Sequence, residues 1–125
     1  MYKEYKANRP PMPDELQQQL PHLWEILDAM NIPVLKIEGV DADDIIGTLA
    51  VRAQNEGLNT YIVSGDKDFM QLINENIFLY APGTKKSPNP IIYDSKRVEE
   101  KWGVPPEKIT DLLGLMGDSS DNVHY

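Results

Sequence analysis

The sequence predicts an α/β domain with a mainly parallel sheet, and three observations lead there. Short runs of β-branched and aromatic residues, "NTYIVSG" (59–65), "NIFLYAP" (76–82) and "IIYD" (91–94), recur along the chain. Amphipathic stretches with helical periodicity separate them. Clustered acids, "DADD" (41–44) and "GDKD" (65–68), directly follow segments that read as strands, where open α/β sheets place their ligands.

"RPPMP" (9–13) is a proline-rich entry that cannot be helical throughout. A helix is predicted next, with Leu16, Leu20, Leu23, Trp24, Leu27 and Met30 on one face. That stripe is expected to be core, and Pro21 is expected to kink or divide the helix. "PVLKIEG" (33–39) reads as a short strand ending at Gly39. A helix follows "DADD": Ile45, Ile46, Leu49, Ala50 and Ala53 share a face, and Gly57 stands where a terminating glycine belongs. After the strand at 59–65, "DKDFMQLI" suggests a short helix. The strand at 76–82 leads into the loop "GTKKSPNP", rich in turn formers. Beyond "IIYD", Asp94 or Ser95 can cap a helix running to Lys101, with Gly103 past its end. Pro105 and Pro106 suit the first turn of a last helix through Met116.

The 125 residues suffice for one domain with a small core. The absence of cysteine excludes a disulfide framework and thiolate metal sites, and fits a reducing compartment. No apolar run reaches transmembrane length, and the N-terminus has no signal-peptide core, so a cytoplasmic protein without membrane attachment is expected. A net charge of −8 gives no overall attraction for nucleic acid. Binding to nucleic acid would need a local basic patch or metal ions that reverse the local sign; Lys3, Lys6 and Arg9 against Glu4 make the N-terminus basic, which composition alone reads first as a solvated tail.

The acids form three clusters: Asp41, Asp43 and Asp44; Asp66 and Asp68; and Asp118 and Asp121 in "GDSSDN". Helix capping and the helix dipole account for two acids of the first cluster and leave the third without a reason. A cap with a dipole partner at the second cluster and an Asx-turn at the third remain open as explanations of each alone. Taken together, in a chain with no Cys and two His, the clusters offer oxygen ligands suited to Mg²⁺ or Mn²⁺. Two such ions about 4 Å apart would serve phosphodiester hydrolysis. Zinc lacks its ligands, the EF-hand spacing is broken by Ile45 and Ile46, and no GxGxxG or P-loop is present.

"YKANRPPMP" (5–13), "GVDADDIIGTLA" (39–50), "SGDKDFMQL" (64–72), "KWGVPPEKI" (101–109) and "LMGDSSDN" (115–122) resemble, in type, order and spacing, the 5′–3′ exonuclease domain of bacterial DNA polymerase I, of the flap-endonuclease superfamily. The resemblance implies a PIN-like α/β core at 14–122 behind a helical-arch remnant at 1–13. It implies a two-metal, structure-specific nuclease acting in replication and repair on DNA with a 5′ flap, a 5′ end or an RNA primer.

By the same resemblance, Asp41, Asp43 and Asp44 belong to a first metal site, with Asp41 where the family usually has glutamate. Asp66, Asp68, Asp118 and Asp121 belong to a second. Tyr5, Lys6 and Arg9 match the arch, where Lys6 and Arg9 would steer and neutralise the scissile phosphate. The family domain begins upstream with a first strand and continues into a helix–hairpin–helix. The chain therefore reads as the middle of that domain, expected to cut a 5′ flap very slowly or not at all on its own. A non-catalytic metal- and DNA-binding module and a PIN-like ribonuclease stay open as alternatives, and the oligomeric state is not legible.

Overall fold

The computed structural model describes residues 10–85 and 87–117. The chain divides into two compact units, one containing residues up to Gly39 and the other running from Val40 to Gly117.

In the first unit, helix α1 (Asp14–Ala29) begins after Pro13, with Gln17 Nε2 donating to the Met12 carbonyl at 3.0 Å. It runs unbroken through Pro21, so the expected division is absent. Proline costs the helix one hydrogen bond, and the turns on either side carry it across. At its end Asn31 takes a left-handed conformation (φ 54°). Its N–H bonds to the Asp28 carbonyl, and that of Ile32 bonds to the Leu27 carbonyl. This is a Schellman ending built on asparagine.

Two expectations fail in this unit. No residue of α1 is buried; Trp24 and Met30 are 50% and 64% exposed, so the apolar stripe is not core. "PVLKIEG" forms no strand, and Val34, Leu35 and Ile37 are exposed. β propensity becomes a strand only where a neighbouring edge supplies hydrogen bonds, and no described residue pairs with this segment.

The second unit holds the core. Helix α2 (Ala42–Asn55) closes with Gly57 at φ 75°, whose N–H and that of Leu58 bond to the Gln54 and Ala53 carbonyls. Strand β1 (Thr60–Val63) leads into a 3₁₀ helix (Lys67–Leu72), then strand β2 (Ile77–Ala81) and strand β3 (Ile91–Tyr93). Helix α3 (Ser95–Trp102) is capped by Asp94, which accepts from the Arg97 N–H at 2.8 Å, and it ends at Gly103 with φ 73°. The last helix opens as a 3₁₀ turn at Pro106–Lys108 and continues as α4 (Ile109–Met116).

The sheet has the order β1-β2-β3. Strands β1 and β2 are parallel, as expected, while β3 lies antiparallel to β2. The β1–β2 crossover contains the 3₁₀ helix, whereas "GTKKSPNP" is a hairpin-type loop that reverses the chain. Alternation along the strands puts Ile62, Ile77, Leu79 and Tyr93 on the buried face. Ala50 of α2, Phe69 and Met70 of the 3₁₀ helix, Val98 of α3 and Ile109 of α4 join them in one cluster. Burial of each large apolar side chain contributes roughly 1.5–3 kcal/mol. That cluster holds the start of α2 and the end of β1 in one body.

Candidate metal and nuclease site

The site is built from two turns that open helices. After β1 the chain passes Ser64 and Gly65 and enters the 3₁₀ helix at Asp66. The Asp66 N–H donates to Ser64 Oγ at 3.0 Å, and Asp66 Oδ1 accepts from the Asp68 N–H at 2.9 Å. The capping explanation is therefore met here, and it fixes the Asp66 carboxylate in place. In α2 the outcome is different. Asp41 occupies the N-cap by backbone conformation, but its side chain makes no capping hydrogen bond. Asp43 and Asp44 lie in the first turn, where the dipole favours negative charge by about 0.3–1 kcal/mol each.

Asp43, Asp44, Asp66 and Asp68 line a single cavity of about 560 Å³ between α2 and the 3₁₀ helix. Four of the seven acids proposed as ligands thus meet across it. Asp41 does not line it. Asp118 and Asp121, with Tyr5, Lys6 and Arg9, fall outside the described residues.

Thr48, Arg52 and Gln71 also line the cavity and were not anticipated. Helical spacing was the available signal: Thr48 and Arg52 lie four and eight residues after Asp44, and Gln71 three after Asp68. Arg52 is the cation among the described lining residues.

Among the described residues, no three His, Cys, Asp or Glu side chains gather closely enough to hold a metal ion by themselves. The donor chemistry nevertheless fits a hard cation. Mg²⁺ is usually bound through one or two carboxylates with water completing its shell, and the cavity offers carboxylates in two pairs.

No described helix is long and apolar enough to cross a membrane.

Comparison with known proteins gives the family. Residues 1–103 match the family model described as the 5′-3′ exonuclease, N-terminal resolvase-like domain. DNA polymerase I of Caldicellulosiruptor bescii is 45% identical over 123 residues, which are 98% of this chain and 14% of that protein. A 5′-3′ exonuclease of Buchnera aphidicola subsp. Schizaphis graminum is 46% identical over 123 residues, covering 98% of this chain and 41% of the relative. The chain therefore spans well under half the length of either relative.

Among solved structures, the flap endonuclease of bacteriophage T5, in a pseudo-enzyme–product complex with DNA and metal ions, superposes with a TM-score of 0.68 at 21% identity. The superposition covers 97% of this chain and 47% of that one. At that identity the likeness establishes the α/β fold. The family match and the relatives carry the assignment further: this chain belongs to the N-terminal resolvase-like domain family of 5′-3′ exonucleases.

Proposed function

We propose that the chain provides the metal centre of a structure-specific 5′ nuclease that hydrolyses DNA phosphodiesters at 5′ flaps or 5′ ends. The observation that carries this is the convergence of Asp43 and Asp44 from α2 with Asp66 and Asp68 from the 3₁₀ helix on one cavity. The family supplies the reaction class.

Mg²⁺ or Mn²⁺ bound there would lower the pKa of the attacking water and stabilise the leaving oxygen. The residues of the chain do the holding. The Asp68 N–H restrains Asp66, and the first turn of α2 presents Asp43 and Asp44 with the helix dipole favouring their charge. The proposed ligand set keeps Asp41, Asp118 and Asp121. Lys6 and Arg9, with Tyr5 beside them, would contact substrate phosphate and offset its charge. RNA-primer junctions are proposed as a further substrate, since the reacting phosphodiester is the same.

Cleavage of a labelled 5′-flap DNA in Mg²⁺ tests this directly. The assay uses the chain extended to the full length of the stand-alone exonuclease relatives, with Asp66→Ala as control. Activity should require the metal and fall about 10²–10³-fold in Asp66→Ala, the scale of a lost electrostatic group. Equal rates in both proteins would refute the site, and preference for RNA over DNA would favour a ribonuclease. In fluorescence anisotropy, Lys6→Ala/Arg9→Ala should weaken flap binding and flatten its salt dependence, because two phosphate contacts are lost.

A further inference from the structure

Gln71 stands in the wall of the acidic cavity with both ends of its amide engaged. Its Nε2 donates to the Asp68 carbonyl at 2.8 Å. Its Oε1 accepts from Thr110 Oγ1 at 2.9 Å, a bond that spans 39 residues of sequence and reaches the first turn of α4. The Asp68 N–H, in turn, donates to Asp66 Oδ1 at 2.9 Å. The three bonds form one continuous chain: Asp66 carboxylate, Asp68 backbone, Gln71 amide, Thr110 hydroxyl.

The local bond alone, from Gln71 back to Asp68, would be an ordinary device for finishing a 3₁₀ turn. The bond to Thr110 is not local. Gln71 and Thr110 are both exposed, where a glutamine is normally solvated and ordering its side chain costs on the order of 1.5–2 kcal/mol. Burial of the two side chains does not explain the link, because neither belongs to the core. What the link does is tether the Asp68–Phe69 peptide, which directly follows the two cavity carboxylates, to α4. In sequence, Asp118, the first acid of the third cluster, follows the end of α4 by two positions.

We propose that Gln71 is a positioning residue for the metal centre: through the Asp68 backbone it sets the orientation of the Asp66 and Asp68 carboxylates relative to α4. The proposal rests on the metal-centre reading above. The side-chain Nε2 donates to Asp68 and Oε1 accepts from Thr110, so the role assigned to Gln71 is exerted through the ligands. Partners of this kind, one shell behind the ligands, typically alter metal affinity about 10–100-fold when removed.

The test is Mn²⁺ titration of the whole chain, read by the EPR signal of the free ion, with melting in EDTA beside it. Gln71→Met keeps length and bulk but removes both hydrogen bonds; Thr110→Val removes the distal one. Gln71→Met should raise the Mn²⁺ Kd about tenfold and Thr110→Val about threefold, and the double variant should match Gln71→Met, since both changes cut one chain of bonds. Exchange of the Asp68 amide proton in EDTA should quicken in Gln71→Met while the melting temperature hardly moves.

Wild-type affinity in Gln71→Met, with affinity lost in Asp66→Asn/Asp68→Asn, overturns the positioning role and leaves the metal centre standing. A wild-type chain that binds no Mn²⁺, or binds it equally after the aspartate changes, overturns the metal centre and the positioning role with it. Should Gln71→Met melt far below the wild type, Thr110→Val decides the matter. If its affinity falls only in step with its melting temperature, Gln71 has a purely structural role.

Discussion

Asp41 and Asp66 both occupy the N-cap of a helix, yet only Asp66 gives its side chain to the cap. Asp66 also lines the cavity, and Asp41 does not. In the segment after β1, one carboxylate therefore serves the fold and faces the candidate site together. In the α2 segment these tasks are separated: the backbone of Asp41 starts the helix, and Asp43 and Asp44 face the cavity from the first turn. The difference teaches that N-cap preference in a sequence locates a helix start without saying where the carboxylate is used.

Removing charge on either side tests the comparison most severely. If both segments hold a divalent cation, wild-type protein at ten times the Kd gains about 1.4 kcal/mol, a melting shift on the order of 5 °C. Asp43→Asn/Asp44→Asn and Asp66→Asn/Asp68→Asn should each abolish most of that shift in millimolar Mg²⁺ or Mn²⁺. Loss in one pair only would assign the site to that segment. A shift retained in both would remove the cavity from consideration.

A smaller effect separates cap from charge. In EDTA, Asp66→Ala should cost roughly 1 kcal/mol in denaturant unfolding, while Asp66→Asn, which keeps an acceptor for the Asp68 N–H, should cost a few tenths. The smallest effect belongs to Asp41. Because its side chain makes no cap, Asp41→Asn in EDTA should lie within about 0.5 kcal/mol of wild type, the range of surface changes. A cost near that of Asp66→Ala would show that Asp41 caps α2 in solution.

Much of the second unit was legible because local signals and packing agree there. Gly57 and Gly103 terminate helices at positive φ, Asp94 caps α3, and the alternation in "YIV" and "IFL" matches the buried face of the sheet. Where only local signals were present, the sequence misled. The stripe of α1 has the period of a core helix, and "PVLKI" the residue types of a strand. Period and propensity name a face or a conformation; they do not name what covers it. The reversal at β3 was missed because "GTKKSPNP" reads as a turn without revealing that it returns the chain beside β2.

The site was legible in its acids and not in its support. Clustered aspartates after β1 and at the start of α2 marked the cavity, since like charges so close are costly without a counter-charge. Gln71, Thr110 and Arg52 carried no such mark. Helical spacing relates Arg52 to Asp44 and Gln71 to Asp68, but it does not encode a contact 39 residues apart such as that of Gln71 with Thr110.

The most direct test of the central claim is Mn²⁺ binding by the wild-type chain and the two paired variants, measured by EPR of the free ion at matched protein concentrations. The account predicts saturable binding in the wild type that weakens at least tenfold both in Asp43→Asn/Asp44→Asn and in Asp66→Asn/Asp68→Asn, because both pairs face one cavity. Wild-type binding left unchanged by either pair would contradict it.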